Sequence, residues 1–455
     1  MKERTRKAIR AALALAVILV LSTGSSDGSA VRRQKRVDPA QLKPKRSVRV
    51  ERPGPAGQPL HHSRDRVLLR FRSEVSPEYA EGLLQSYRFR EIRRIEPVGI
   101  FAVRIPEDSS VEETLAVLSR NPDIERAGPD HRTRLFVTPN DTFFQRYQYN
   151  LQNRGIILDI APGIRPQTTA GADIKATTAW DETKGDPAVL IAVLDTGVDM
   201  THVELVNKVV STGRDFVNDD MDATDDHWHG THVAGVAAAE TGNGTGIAGV
   251  AWNCRILPGK VIDADGMGYY SWLIDGIVWA VDEGAKVINL SLGGDEDDDF
   301  LESACKYAYD RGVVVVAASG NDGASVGYPA AFDRYVMAVA ATDYNDERAS
   351  FSNFGPEVDV AAPGVYILGP CPQWYAGEGY LPYLFGSGTS QATPHVAGLA
   401  ALILGVKPWL EAGQVMDIIR YTADDVNRSQ DPGRDDYLGY GRINMQKALV
   451  PYILQ

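Results

Sequence analysis

Three short segments hold side chains that could act together on a substrate. Asp195 ends the apolar run Ile191-Ala192-Val193-Leu194. His229 opens His229-Gly230-Thr231-His232-Val233-Ala234-Gly235, and Ser390 stands in Gly388-Thr389-Ser390-Gln391-Ala392-Thr393-Pro394-His395. A serine hydroxyl is a weak nucleophile until a neutral imidazole takes its proton. The imidazole in turn needs a carboxylate to fix its tautomer and stabilise the imidazolium. Ser390, His229 and Asp195 fit nucleophile, base and orienter. Acyl transfer through them would build an oxyanion, for which the Ser390 N–H and the Asn321 side chain in Ala318-Ser319-Gly320-Asn321 are candidate donors. Each residue also has a plainer reading, since a strand-end Asp binds backbone amides and a Ser at a helix start is commonly an N-cap.

The order Asp, His, Ser excludes the α/β-hydrolase arrangement, in which Ser comes first and His last. Only His395 follows Ser390, on the same predicted helix. A metal centre is the rival use of His227, His229 and His232 beside Asp225 and Asp226. No His-Glu-x-x-His motif is present, and a zinc site leaves the Ser390 segment without a task.

Elements must hold these residues in place. Val189–Leu194, Ile256–Ile262, Lys286–Leu292, Val313–Ala318 and Val336–Ala341 read as strands buried on both faces. Helical patterns at His229–Glu240, Tyr270–Glu283, Asp299–Arg311, Thr389–Leu404 and Ala412–Thr422 alternate with them. The expectation is an α/β domain over residues 140–455, a parallel β-sheet with helices on both faces and its site at the carboxyl ends of the strands.

The front of the chain differs. Lys2, Arg4, Arg6, Lys7 and Arg10 precede the apolar run Ala11–Leu21 and a small-residue exit at Gly28-Ser29-Ala30, the pattern of a signal peptide over residues 1–30. Residues 31–65 are basic and Pro-rich and read as a linker. Residues 66–135 read as a small α+β domain, with strands at Val67–Phe71, Ile100–Ile105 and Ile124–Ala127 and helices at Pro77–Arg88 and Val111–Ser119. Charge divides along the same line: residues 1–139 carry 27 Lys and Arg against 17 Asp and Glu, and the rest carry 20 against 43. So acidic a main domain repels phosphate, which argues against a nucleic-acid partner. Cys254, Cys305 and Cys371 are too few for a disulfide scaffold and leave open one bridge with a free thiol.

With these blocks in view, 140–455 resembles the subtilisin-like serine proteases (subtilases), in particular the bacterial secreted subtilisin/thermitase type. The matching blocks are Val193–Asp199, His229–Gly235, Ala317–Asn321, Phe351-Ser352-Asn353-Phe354-Gly355-Pro356, Asp359–Gly364, Gly388–Gly398 and Gly439-Tyr440-Gly441-Arg442-Ile443-Asn444. Residues 66–134 resemble the family's inhibitory propeptide more loosely.

The resemblance implies a secreted serine endopeptidase, monomeric and made as a self-processed precursor. Protein or peptide substrates and the chain's own propeptide are the implied partners, with no membrane span once the signal is removed. It gives Asp195, His229 and Ser390 the triad roles and Asn321 the oxyanion. It implies that Ser291, Leu292 and Gly293 pair with the substrate backbone as an added strand, and that Gly320, Asp322 and Gly327 border the primary specificity pocket, with an open floor at Gly327. Asp322 and Asp295–Asp299 read either as a solvated acidic surface or as acids that favour basic substrate side chains. A structural Ca2+ is implied at Asp141, Glu204 and Asn243 with the carbonyls of Thr245 and Ile247, where Glu204 replaces a common Asp; a plain turn is the other reading. Asp215, Asp219, Asp220 and Asp222 are a second acidic group.

Trp228 precedes His229 where relatives usually have Gly or Asn, Gln391 follows Ser390 where many have Met, and Gly369–Phe385 is longer than usual. His131–Val137 would lie in the cleft and be cut. The alternatives are a binding protein that keeps the fold without catalysis, and a processing protease of narrow specificity.

Overall fold

The computed structural model describes residues 62–131, 138–211 and 213–449. The expected signal peptide, most of the linker and residues 132–137 lie outside them. The chain divides near residue 135 into two compact units.

The N-terminal unit is built from β1 (His62–Phe71), α1 (Pro77–Ser86), β2 (Arg90–Ile95), β3 (Ile100–Arg104), α2 (Val111–Leu118) and β4 (Ile124–His131). The strands form an antiparallel sheet in the order β2-β3-β1-β4. Alternation selects the inner face: Val67, Leu69 and Phe71 of β1 and Phe101 and Val103 of β3 meet Ala80, Leu84, Val111 and Leu118 from the helices. Both helices start where the sequence supplies caps. Ser76 accepts from the Tyr79 N–H, and Ser110 with Glu113 closes a capping box. Two boundaries differ from the sequence reading. β1 begins at His62, inside the stretch read as linker, and Arg90-Glu91-Ile92-Arg93-Arg94-Ile95 forms an edge strand despite its charge. Such strands have no buried face to betray them, and their charge discourages further pairing.

The second unit follows with α3 (Phe144–Tyr147), α4 (Ala176–Ala179), β5 (Leu190–Asp195), β6 (Arg214–Asp215), α5 (His229–Ala238), β7 (Arg255–Lys260), α6 (Tyr270–Asp282), β8 (Val287–Leu290), α7 (Asp299–Tyr309), β9 (Val314–Ala318), β10 (Val336–Thr342) and β11 (Val358–Pro363). It ends with β12 (Ile367–Pro370), α8 (Gln373–Ala376), β13 (Tyr383–Gly386), α9 (Thr389–Val406), α10 (Ala412–Thr422) and α11 (Met445–Leu449). A seven-stranded parallel sheet runs β11-β10-β9-β8-β5-β7-β6, and β12 pairs with β13 as a separate hairpin.

Both faces of the sheet are covered. Ile191 and Val193 join α5, α9, α10 and α11 on one face, while Ala192 and Leu194 join α6 and α7 on the other. That two-sided burial explains why these strands lack polar alternation. Shortening Leu194, fully buried, to Ala would cost about 2–5 kcal/mol. The chain leaves β5 for β6 and β7 on one side, then crosses to β8 on the other. Strand order therefore reverses beside β5, and the carboxyl ends of β5 and β8 open a crevice at the switch point.

Candidate active site

Asp195 is the last residue of β5 and His229 the first of α5. The two elements meet because glycine removes what would separate them. A Cβ on Gly230 would lie 2.1 Å from the Gly197 carbonyl oxygen, and Gly197 itself takes φ +102°. His229 Nδ1 donates to Asp195 Oδ1 at 2.7 Å, and the Thr196 N–H donates to the same oxygen at 2.8 Å. Burial opposes the charged imidazolium, but the Asp195 carboxylate outweighs it and holds His229 above the ordinary histidine range.

A second buried acid, Asp225, knits this corner. Its Oδ1 accepts from Thr196 Oγ1 and from the N–H groups of His227 and Trp228, and its Oδ2 accepts from the N–H and hydroxyl of Thr231. Thr196 Oγ1 accepts in turn from the Gly230 N–H. Donors at the start of α5 are thereby satisfied by an acid outside the helix. Trp228, just before His229, takes φ +136°. Such a backbone costs about 1–3 kcal/mol for a residue other than glycine. Its ring meets the His229 ring edge-on at 5.6 Å.

The histidine and acid cluster is engaged in this scaffold. His232 Nε2 hydrogen-bonds the Ile367 carbonyl, and burial pushes His232 down to about 3. Among the described residues no group of three or more His, Cys, Asp or Glu side chains is arranged to hold a metal ion.

Ser390 lies in the first turn of α9, against the segment that follows β8. Ser291 Oγ donates to the Ser390 carbonyl at 2.8 Å, and Ser390 Oγ donates to the Ser291 carbonyl at 2.9 Å. Asn289 Nδ2 supports Ser291 Oγ at 3.0 Å. Asn321, after β9, accepts through Oδ1 from the Thr389 N–H at 2.8 Å and the Thr389 hydroxyl at 3.0 Å. That orientation leaves the Asn321 amide N–H groups for another acceptor.

Asp195, His229, Ser291, Leu292, Gly293 and Gly294 line one cleft of about 440 Å³. Its other wall is the ridge of Gly266, Met267, Tyr269, Tyr270 and Leu273, which the sequence reading did not single out. Ser291–Gly293 extends beyond β8, which ends at Leu290. The loop after β9 is fastened by Asn353, whose Oδ1 accepts from the N–H groups of Asp322 and Ala324. Beyond it, the Gly327 N–H donates to the Ser319 carbonyl, and a Cβ at Gly327 would stand 3.0 Å from the Gly294 oxygen. Gly320, at φ +113°, passes close over Asn353. Asp298 caps α7 through the Leu301 N–H, a structural task for one member of the acidic run.

The expected calcium residues also meet. Asp141 accepts from the Gly242 N–H, Glu204 Oε1 accepts from the Ile247 N–H and the Tyr383 hydroxyl, and Asn243 Nδ2 points to Glu204 Oε2 at 3.4 Å. Asn243 Oδ1 accepts from the Thr245 N–H. Burial, with Asp141 nearby, pushes Glu204 up to about 7, and burial raises Asp141 as well. Asp141 and Glu204 are both buried and close enough for Asp141 to raise Glu204, a pair of oxygen donors whose chemistry fits a hard cation. The second acidic group instead closes its own turn: Asp215 accepts from Val217, Asn218 and the Asn218 amide, Asp219 pairs with Arg214, and Asp222 accepts from Thr224. Cys254, Cys305 and Cys371 are free thiols and buried, so no bridge forms among them.

Comparison with known proteins gives the family. The subtilase family model matches residues 186–441, and the fervidolysin N-terminal prodomain model matches residues 55–130. A thermophilic serine proteinase from Bacillus sp. (strain AK1) is 44% identical over 341 residues, covering 75% of this chain and 76% of its own. Thermitase from Thermoactinomyces vulgaris is 42% identical, covering 69% of this chain and 99% of its own. The solved structure of a protease from Pseudoalteromonas arctica PAMC 21717 superposes with a TM-score of 0.58 at 30% identity, covering 69% of this chain and 99% of that one. A binding protein that merely keeps the fold is set aside by these relatives. The chain belongs to the subtilase family and is a serine endopeptidase with an N-terminal prodomain.

Proposed function

We propose that Asp195, His229 and Ser390 are the catalytic triad of a secreted, calcium-stabilised endopeptidase that cuts its own precursor. The 2.7 Å bond from His229 to Asp195, in a cleft shared with the Ser291 segment that holds Ser390, carries this reading.

A substrate strand laid along Ser291–Gly293 brings its carbonyl over Ser390. The Ser390 hydroxyl gives its proton to His229 Nε2 as Oγ attacks, and Asp195 stabilises the imidazolium. The Asn321 amide and the Ser390 N–H stabilise the oxyanion. His229 then protonates the leaving amine, and water hydrolyses the acyl-Ser390 ester along the same path.

Asp141, Glu204 and Asn243 would hold the calcium ion with the carbonyls of Thr245 and Ile247. The cation would neutralise two buried carboxylates and tie three separate segments together. Export follows from the expected signal peptide. No helix among the described residues is long and apolar enough to cross a membrane.

Intact mass of the purified precursor, followed over time with calcium, tests the reading. Wild type is expected to lose its front near residues 131–139, while Ser390→Ala keeps it. Equal cutting of both would refute self-processing, and an uncut wild type would contradict the whole proposal.

A further inference from the structure

The β12–β13 hairpin places aromatic side chains beside the candidate base, and the triad chemistry uses none of them. Trp228 stacks on His227 with centroids 5.6 Å apart and planes at 20°. Besides the edges of His229 and His232, the same ring meets Tyr375 of α8 at 5.7 Å, and Tyr375 meets Trp374 at 5.8 Å. Trp374 is 58% exposed, and Leu381 on the same hairpin is 46% exposed. The row runs from the residue before His229 out to solvent.

Its position relative to the cleft is fixed by the chain. β13 ends at Gly386, just before the Ser390 turn, and α8 returns to Trp228, just before His229. The hairpin thus joins the approaches to nucleophile and base. The cleft walls come instead from Ser291–Gly294 and the 266–273 ridge, and no hairpin residue is among them. The Trp228–Tyr375 contact sets α8 beside the residue that precedes His229, on the side of the base away from those cleft walls, where the leaving part of a substrate paired with Ser291–Gly293 would pass.

The strain at Trp228 points the same way. The backbone there has the left-handed φ that glycine adopts freely, yet the position carries the largest side chain. Holding that ring against Tyr375 and the His229 edge gives the strain a use at the substrate surface.

We infer that Trp228, Tyr375 and Trp374 form a recognition wall for the leaving side of the substrate, taking an aromatic or large apolar side chain in the first residues after the scissile bond. This rests on the triad reading above. The wall offers ring faces and edges, which favour aromatic and aliphatic partners over charged or small ones.

Acyl transfer tests it. An ester substrate acylates Ser390. An added amine then attacks the acyl ester, forms an amide and releases the serine hydroxyl, in competition with water. The amines would be Gly-, Asp-, Leu- and Phe-amide and the corresponding Gly-Xaa amides, with partition read by mass spectrometry on the mature enzyme. Phe and Leu nucleophiles are expected to be captured about 2- to 10-fold better than Gly, and the double variant Trp374→Ala/Tyr375→Ala should lose that ratio. Trp228→Gly, whose backbone suits glycine, should lose it too. An unchanged ratio in both variants, or a wild-type preference for Asp, would overturn the wall. A folded wild type that never acylates would sink the triad reading and this inference with it.

Discussion

Ser291 and Ser390 hold each other through paired hydrogen bonds, hydroxyl to carbonyl in both directions, at 2.8 and 2.9 Å. The reason lies further along α9. A helical carbonyl at 390 would accept from the N–H of residue 394, but that residue is Pro394 and has none. Ser291 Oγ supplies the missing donor, so a proline inside the helix ties the nucleophile to the strand expected to bind substrate.

Removing that donor should be costly in this background only. Ser291→Ala leaves the half-buried Ser390 carbonyl without its donor, worth up to about 1–3 kcal/mol. It also frees Ser390 to drift, where misplacement of about 1 Å can cost 10²-fold in turnover. Pro394→Ala restores the helical donor, so Ser291→Ala should do less damage there. Melting and kcat across the four-member cycle check this; purely additive effects would contradict it.

The pH profile should follow His229. Because Asp195 holds the imidazole above its ordinary range, the acid limb of kcat/KM should lie above about 6.5. Asp195→Asn should bring the limb down and lower kcat about 10⁴-fold. Stability runs the other way. The His229–Asp195 ion pair contributes fully below the unfolded histidine pKa and fades as pH rises through the raised folded value. Activity should therefore appear as this contribution is lost, and a wild-type limb below pH 5 would contradict the assigned base.

Gln391, buried beside Ser390, offers peroxide no thioether at the nucleophile. The wild type should keep most of its turnover under peroxide that inactivates Gln391→Met. Met267, on the cleft ridge and 67% exposed, is where any partial loss should arise. Activity with and without peroxide, compared between Gln391→Met and wild type, decides it; equal sensitivity would remove Gln391 from the argument.

Calcium should stabilise the chain by mass action, about 2.7 kcal/mol at a hundredfold excess over Kd. Melting against free calcium should rise in the wild type and flatten in Asp141→Ala and Glu204→Ala. A wild type indifferent to chelator would contradict the site.

The parts of this molecule that were legible in its sequence are those that a single element announces. β5 is visible because both faces are buried, and Asp195 because it ends that run. The His229 and Ser390 helices open with unusual small-residue patterns. Residues whose work lies between segments were not legible. Asp225 satisfies donors on Thr196, just after β5, and on Thr231 of α5, Asn353 fastens a loop distant in sequence, and the Tyr269 ridge becomes a wall only once β8 lies opposite. β2, β12 and β13 escaped for a related reason: β2 turns most of its side chains to solvent, and β12 and β13 are short and pair only with each other. Pro394 is plain in the sequence, but its effect, leaving the Ser390 carbonyl for Ser291, needs the pairing of two segments about a hundred residues apart.

The most direct test of the account is covalent labelling of the mature enzyme by a fluorophosphonate, with intact mass and peptide mapping beside residual activity. One adduct per chain is expected, on Ser390, with activity lost in proportion, and no adduct in Ser390→Ala or at low pH where His229 is charged. An active enzyme that takes no label, or one whose label maps to another serine, would contradict the triad.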